Sequence, residues 1–362
     1  MTRVGIVGTG LIGASIGLAL RRDGVAVRGF DLDPARAQEA ARRGATDDTA
    51  PDVASVAADA DVVIIAVPVG HVAELVIRAL DAGAPVVTDV GSVKAPIVDA
   101  VEAARPDRAA QFVGGHPMAG SEQDGGDGAD PDLFVGTTWV FTPTERTDAS
   151  AFSTVRRLLA PLGAEALAVT PADHDRLVAV VSHVPQLAAA TLMDVATNGE
   201  AEPATLLRLA AGGFRDMTRI AAGHPAIWPD ICVANRDEIV AALDGYLVAL
   251  GDVRSLVAAR DRAGLLALLE RARAARQRLP VGPAGVEALV ELRVPVPDRP
   301  AVLAEVTTLA GSMGINIADI EIVHSVEGGG GILVLLVPAS DVAAFEAALT
   351  GRGYHHSRRA LP

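Results

Sequence analysis

At 362 residues the chain is long enough for two or three domains. Half of it is hydrophobic and only 3% aromatic, so its core must be built mainly of Ala, Val, Leu and Ile. A net charge of −14 and a pI of about 5.0 argue against a surface for nucleic acid or anionic membrane. The single cysteine, Cys232, excludes an intrachain disulfide and a cysteine-based zinc site, and no metal is expected. Glycines interrupt the apolar N-terminus and no small-residue cleavage site follows it. No run of about 18 apolar residues stands out elsewhere, so a cytoplasmic chain without leader or membrane span is expected.

The first elements alternate. "TRVGIV" predicts a strand, "ASIGLALRRDG" a helix and "AVRGF" a second strand ending at Asp31. "DVVIIAVP" and "PVVTDV" are continuous Val/Ile runs, as strands buried on both faces require. Helices are predicted between them, over "DPARAQEAARRG" with Pro34 in its first turn and over "GHVAELVIRAL". Such alternation predicts a doubly wound α/β domain of Rossmann type over residues 1–170, continuing through "QFVGGHP", "TTWVFTP" and "EALAVT". Around His116, the glycine pair and Pro117 predict a shaped loop rather than a helix.

From 171 to 280 nearly everything predicts helix, with apolar stripes that must pack on one another or on a second copy of the chain. "PAIWPDICVANRDEIVAALDGYLVALGDVRSLVAARD" stands out as one long helical stretch. "LPVGPAG" marks a linker. Residues 285–362 then predict an α+β module in the order β-α-β-β-α, with "YHHSRRAL" as a sixth element.

Chemistry concentrates in a few motifs. "GTGLIG" places Gly8, Gly10 and Gly13 between a strand and a helix, where they permit a tight turn and close approach of a pyrophosphate to the helix N-terminus. Asp31 would accept hydrogen bonds from the adenosine ribose and repel a 2′-phosphate, favouring NAD over NADP. The expected cofactor site thus comprises Gly8, Thr9, Gly10, Leu11, Ile12, Gly13 and Asp31, with Val67 and Pro68 at the end of another strand. "DVGSVK" lies just past a strand, at the carboxyl end of the sheet where ligands bind in such folds, and offers the hydroxyl of Ser92. The helical region contributes "SHVPQ", "GGFRDMTRIA" and Trp228. Arg215, Asp216 and Arg219 on one short helix imply either charged partners or a solvated face.

"GTGLIGASIG", "DVGSVK", "GGHPMAGSE", "SHVPQ" and "GFRDMTRIA…W" come one after another in the order and spacing that resemble the prephenate/arogenate dehydrogenase family of tyrosine biosynthesis, over residues 1 to about 280. "DRPAVLAEVTTLAGSMGINI" resembles an ACT domain, a small module that binds amino acids. The first resemblance implies an NAD-dependent oxidation in which hydride leaves C4 of a cyclohexadiene, the C4 hydroxyl loses its proton and the ring carboxylate departs as CO₂. His116 would take the proton, a task suited to an imidazole. Ser92 would bind the same hydroxyl or hold His116 in place, and Arg219 would bind a substrate carboxylate. Ser121, Glu122, His183, Gln186, Asp216 and Trp228 would line the pocket, with Glu122 and Asp216 pairing with arginines at its entrance. Many prephenate-specific members carry a second histidine where this chain has Gln186, which leaves prephenate and arogenate both open as substrate. A 3-hydroxyacid dehydrogenase would use a helical lysine, yet the helical region has none and Lys94 is the chain's only lysine. The implied assembly is a homodimer. The second resemblance implies a tyrosine or other aromatic effector near Asp298 and Asn316.

Overall fold

Continuous Val/Ile runs become the middle of a parallel sheet. In the computed structural model, which describes residues 2–119, 128–198, 209–278, 289–297, 299–324 and 330–360, the strands are β1 (Arg3–Val7), β2 (Ala26–Phe30), β3 (Asp48–Thr49), β4 (Val62–Ile65), β5 (Val87–Asp89), β6 (Phe112–Pro117), β7 (Thr138–Thr142) and β8 (Glu165–Ala168). They form one eight-stranded sheet in the order β3-β2-β1-β4-β5-β6-β7-β8. β1 to β6 run parallel, whereas β7 is antiparallel to β6. Every residue of β4 is fully buried. Its side chains alternate between two cores, because successive strand residues point to opposite faces. Val63 and Ile65 meet Val72, Val76 and Leu80 of helix α4 (Val69–Asp81) on one face. Val62 and Ile64 share the other with Ile16 and Leu20 of α1 (Leu11–Arg22). Each such buried aliphatic side chain contributes about 1.5–3 kcal/mol.

The strand order reverses between β1 and β4, so connections leave their carboxyl ends in opposite directions. That divergence opens the crevice in which ligands bind in open α/β sheets.

Between β8 and Arg276 the regular elements among the described residues are helical. Thr170 caps α7 (Pro171–Val178), which continues through a π turn (Ala179–His183) into α8 (Val184–Asn198). Pro185 explains the π turn, since it has no N–H to give the carbonyl one turn back. In an unbroken α-helix His174 and His183 would point about half a turn apart. The π turn winds less per residue, and both side chains end buried. By length and mean hydropathy (1.4) Pro171–Asn198 is long and apolar enough to cross a membrane, contrary to the expectation from the sequence. It nevertheless buries His174, Asp175, His183 and Gln186 inside the protein. The long stretch expected as one helix is broken at Asn235, between Trp228–Ala234 and Arg236–Ala258.

Two compact units divide within that last helix, Met1–Arg254 and Ser255–Pro362. The second carries the helix Arg262–Arg276 and a four-stranded antiparallel sheet built as βαββαβ from β9 (Leu289–Pro297), β10 (Asp319–His324), β11 (Gly330–Pro338) and β12 (Ser357–Ala360). Its order is β10-β11-β9-β12. Leu292, Val294, Leu333 and Leu335 pack beneath Val306 and Phe345 of the two crossing helices. The element order read from the sequence is the one observed, including the sixth element.

Candidate active site

The nucleotide crevice rests on three glycines with different duties. Gly8 adopts φ +94°, a left-handed conformation that favours glycine, as its amide donates to the Phe30 carbonyl at 2.8 Å. A Cβ on Gly13 would stand 1.9 Å from the Gly8 carbonyl oxygen, so Gly13 lets α1 press against the turn. Gly10 has nothing within 4 Å of an added Cβ, and no side chain caps α1 there. The free N–H groups of Leu11 and Ile12 in that first turn therefore face an open cradle fit for a phosphate. Asp31 closes β2 and accepts the Thr9 amide at 2.8 Å and the Asp33 amide at 3.0 Å. It borders a cavity of about 490 Å³ lined by Phe30, Leu32, Pro34, Thr49 and Pro51. Arg36, the first arginine after Asp31, is turned to Asp33 at 3.8 Å rather than to Asp31. Val67 and Pro68 follow β4, with Pro68 as the N-cap of α4, and a Cβ on Gly8 would lie 2.8 Å from Val67 Cγ1. These features fit a dinucleotide with an unphosphorylated ribose, which is NAD.

Three strands across the sheet from β1, a buried polar network surrounds His116. The loop expected there is instead the end of β6, where His116 pairs with Val140 of β7. Pro117 drives the preceding residue to extended backbone, and a strand serves that constraint as well as a loop. The glycine pair answers to packing. An added Cβ would meet Thr142 Oγ1 at 2.3 Å from Gly114, and the Asp89 carbonyl oxygen at 2.7 Å from Gly115.

Gly115 is held from both sides. Asp89, at the end of β5, accepts its amide at 3.1 Å, and Lys94 Nζ donates to its carbonyl at 2.8 Å. Lys94 and Asp89 also form an ion pair, and both side chains are fully buried. Burial pushes the Lys94 ammonium below its ordinary pKa while the Asp89 carboxylate opposes that shift. From the helical region, Asp175 accepts the amides of Lys94 and Ala95, each at 2.8 Å, and so caps helix α5 (Ala95–Ala104). The same carboxylate faces His174 Nδ1 at 2.7 Å, and His174 Nε2 lies 2.8 Å from His116 Nδ1. Asn235 donates to the Asp175 carbonyl at 2.9 Å and reaches His183 Nδ1 at 3.2 Å. The Trp228 ring meets His183 edge-on, 6.2 Å between centroids.

Burial, then the neighbouring His174, Lys94 and His183, hold the His116 pKa well below the usual imidazole range, so His116 is neutral at physiological pH. Burial likewise takes His183 down to about 4. A neutral imidazole at the carboxyl edge of the sheet can accept a proton from a ligand bound beside the nucleotide crevice.

The structure thus gathers His116 and His183 with Trp228 close by. Ser92 sits half-buried in the turn after β5, but the ring partner of His116 is His174. Gln186 is buried on α8. Asp216 and Arg219 are exposed, on helix Gly212–Thr218 and the 3₁₀ turn after it, which pack beside α8. Ser121 and Glu122 lie outside the described residues. Asp89, Lys94, His174, Asp175 and Asn235 received no role from the sequence. The one available signal was Lys94, a lone lysine in an apolar setting.

Two family models match the chain: "Prephenate dehydrogenase, nucleotide-binding domain" over residues 16–168 and "Prephenate dehydrogenase, dimerization domain" over 170–271. The prephenate dehydrogenase of Bacillus subtilis is 35% identical over 93% of this chain and 92% of its own. Among solved structures, the Aquifex aeolicus prephenate dehydrogenase in complex with hydroxyphenyl propionate and NAD+ superposes with a TM-score of 0.72 at 30% identity, covering 77% of this chain and 99% of that one. The Synechocystis arogenate dehydrogenase gives 0.67 at 31% identity, covering 77% and 100%.

Removing one member of the buried ion pair should cost far more than removing both. Lys94→Met leaves the Asp89 carboxylate buried without its cation, for an expected loss of about 3–5 kcal/mol in urea unfolding. The double variant Asp89→Asn/Lys94→Met should regain most of it. A Lys94→Met loss below about 1 kcal/mol would show that the pair does not hold the site.

Proposed function

The chain belongs to the prephenate dehydrogenase family, and from that premise we propose a cytoplasmic, homodimeric enzyme that uses NAD to convert prephenate to 4-hydroxyphenylpyruvate and CO₂. The observation that carries the reading is His116, held by His174 at the carboxyl edge of the sheet that also carries the Gly8–Gly13 cradle. The domain division is nucleotide-binding over 1–170, substrate-binding and dimerising over 171–280 and regulatory over 285–362. Exposed Val240, Leu247 and Val248 on the long helix of the middle region support burial against a second copy.

Gly8, Gly10 and Gly13, with the amides of Leu11 and Ile12, would hold the pyrophosphate, and Asp31 the adenosine ribose. When bound, NAD+ accepts the hydride that leaves C4 of the substrate. As it leaves, His116 takes the proton of the C4 hydroxyl. The ring carboxylate departs as CO₂, its bond electrons aromatise the ring, and the oxygen takes its proton back from His116. No net proton is released. Aromatisation supplies the driving force, so the protein's tasks are to orient the ring and lend that proton site. Ser92 contacts the same hydroxyl, and Arg219 binds a substrate carboxylate through its planar fork. Ser121, Glu122, His183, Gln186, Asp216 and Trp228 shape the pocket. Gln186, as a neutral amide, leaves arogenate as the second substrate to test, and an arogenate dehydrogenase is among the similar solved structures.

The βαββαβ tail would act as an ACT-like sensor for tyrosine or another aromatic amino acid. Asn316 is exposed just after the first helix of the tail, while Asp298 lies outside the described residues.

NADH formation followed at 340 nm with prephenate and arogenate side by side tests the activity, and absence of turnover with both would overturn it. His116→Asn should lower kcat about 10²–10⁴-fold with little change in NAD affinity. Retention of most of kcat would make His116 structural. Deleting residues 285–362 should abolish inhibition by tyrosine and leave much of the dehydrogenase activity. Unchanged inhibition of the truncated chain would place tyrosine at the active site instead.

A further inference from the structure

The hydrogen bonds along His116, His174 and Asp175 constrain where the protons sit. A carboxylate is acceptor-only, and that of Asp175 accepts the amides of Lys94 and Ala95. The atom 2.7 Å from it, His174 Nδ1, must therefore be the N–H donor. With His174 taken as the neutral imidazole, which carries one N–H, its Nε2 bears a lone pair. That lone pair faces His116 Nδ1 at 2.8 Å, with ring centroids 5.1 Å apart and planes at 68°, so nitrogen meets nitrogen rather than face meeting face. Only one proton fits between them, and with that lone pair on His174 it sits on His116 Nδ1.

We propose that His174 and Asp175 are positioning residues that lock His116 in the Nδ1–H tautomer and so turn a bare Nε2 toward the substrate. The proposal rests on the reading of His116 as acceptor of the C4 hydroxyl proton. It also gives the positive charge a resting place once Nε2 has taken that proton. The Nδ1 proton can move to His174 Nε2, which leaves the charge on His174 against the Asp175 carboxylate instead of beside the Lys94 ammonium. The proton returns by the same path when the product oxygen is reprotonated, so the wire ends each turnover as it began. Among the described residues, the charged and titratable groups around this path are Asp89 from β5, Lys94 from the turn before α5, Asp175 from α7 and His183 from the π turn. Of these, only Asp175 offers a carboxylate to a histidine of the chain.

His174 is the residue to change, because Asp175 also caps α5 and its loss would disturb two things at once. Long-range ¹⁵N–¹H correlation spectra of ¹⁵N-histidine-labelled protein, assigned with His116→Asn, report each ring's tautomer without any turnover. The wild-type protein should show His116 as Nδ1–H. His174→Phe should return it to Nε2–H and lower kcat about 10- to 100-fold, the cost seen when metal-bound histidines lose the partner that orients them, with KM and NAD affinity little changed. His174→Gln offers a carbonyl oxygen to the Nδ1–H, so it should restore that tautomer and part of kcat. This variant keeps the test available if the phenylalanine variant does not fold. A wild-type His116 in the Nε2–H form, or a tautomer that ignores both variants, would overturn the proposal. If the tautomer shifts in His174→Phe while kcat stays put, the tautomer lock stands, and the reading of His116 as proton acceptor falls instead.

Discussion

One carboxylate joins the helical region to the sheet. Asp175 receives the first amides of α5, the ring of His174 and, through its own carbonyl, the side chain of Asn235. An ionised carboxylate this deep is tolerable only when its oxygens are filled by donors, and here a helix N-terminus supplies two of them. The arrangement fixes how α7 approaches the end of β5, and that approach sets where His174 meets His116. Without Asp175 the first amides of α5 would be left buried and unpaired, and the imidazole at the end of β6 would lose its anchor.

The Asp89–Lys94 pair works on the other side of the same strand. A buried ion pair is seldom a net source of stability, because desolvation offsets much of the attraction. Its effect here is geometric. Amide and carbonyl of Gly115 are both engaged, so the residue before His116 cannot rotate. With the backbone held by Asp89 and Lys94, and the ring held by His174, His116 keeps its orientation before any ligand arrives. Such preorganisation is what catalysis by a proton acceptor requires.

Much of this architecture is legible in the sequence, and the boundary is physical. The glycine turn, Asp31 and the βαββαβ tail are local patterns, in which residues a few positions apart share a turn or a face. His183 stands out in its motif, yet its partners Asn235 and Trp228 come from the far side of the helical region. Lys94 to Asp175 spans 81 residues and His116 to His174 spans 58, and no periodicity connects such pairs. The π turn is equally hidden, although Pro185 is its cause. Even the glycine pair before His116 is visible for the wrong reason, since its small size answers to Thr142 and Asp89 rather than to a loop.

Lys94 has one more consequence, for the chemistry of the surface. All other basic side chains that carry a permanent charge are arginines, and this one amine lies fully buried against Asp89. A guanidinium does not react with acylating reagents as an amine does, so the folded chain shows them little beyond its α-amino group. Lysine acetylation, and coupling through lysine to a label or support, would need the core of the site to open first. Acylation at Lys94 is therefore a direct gauge of how often the interior opens.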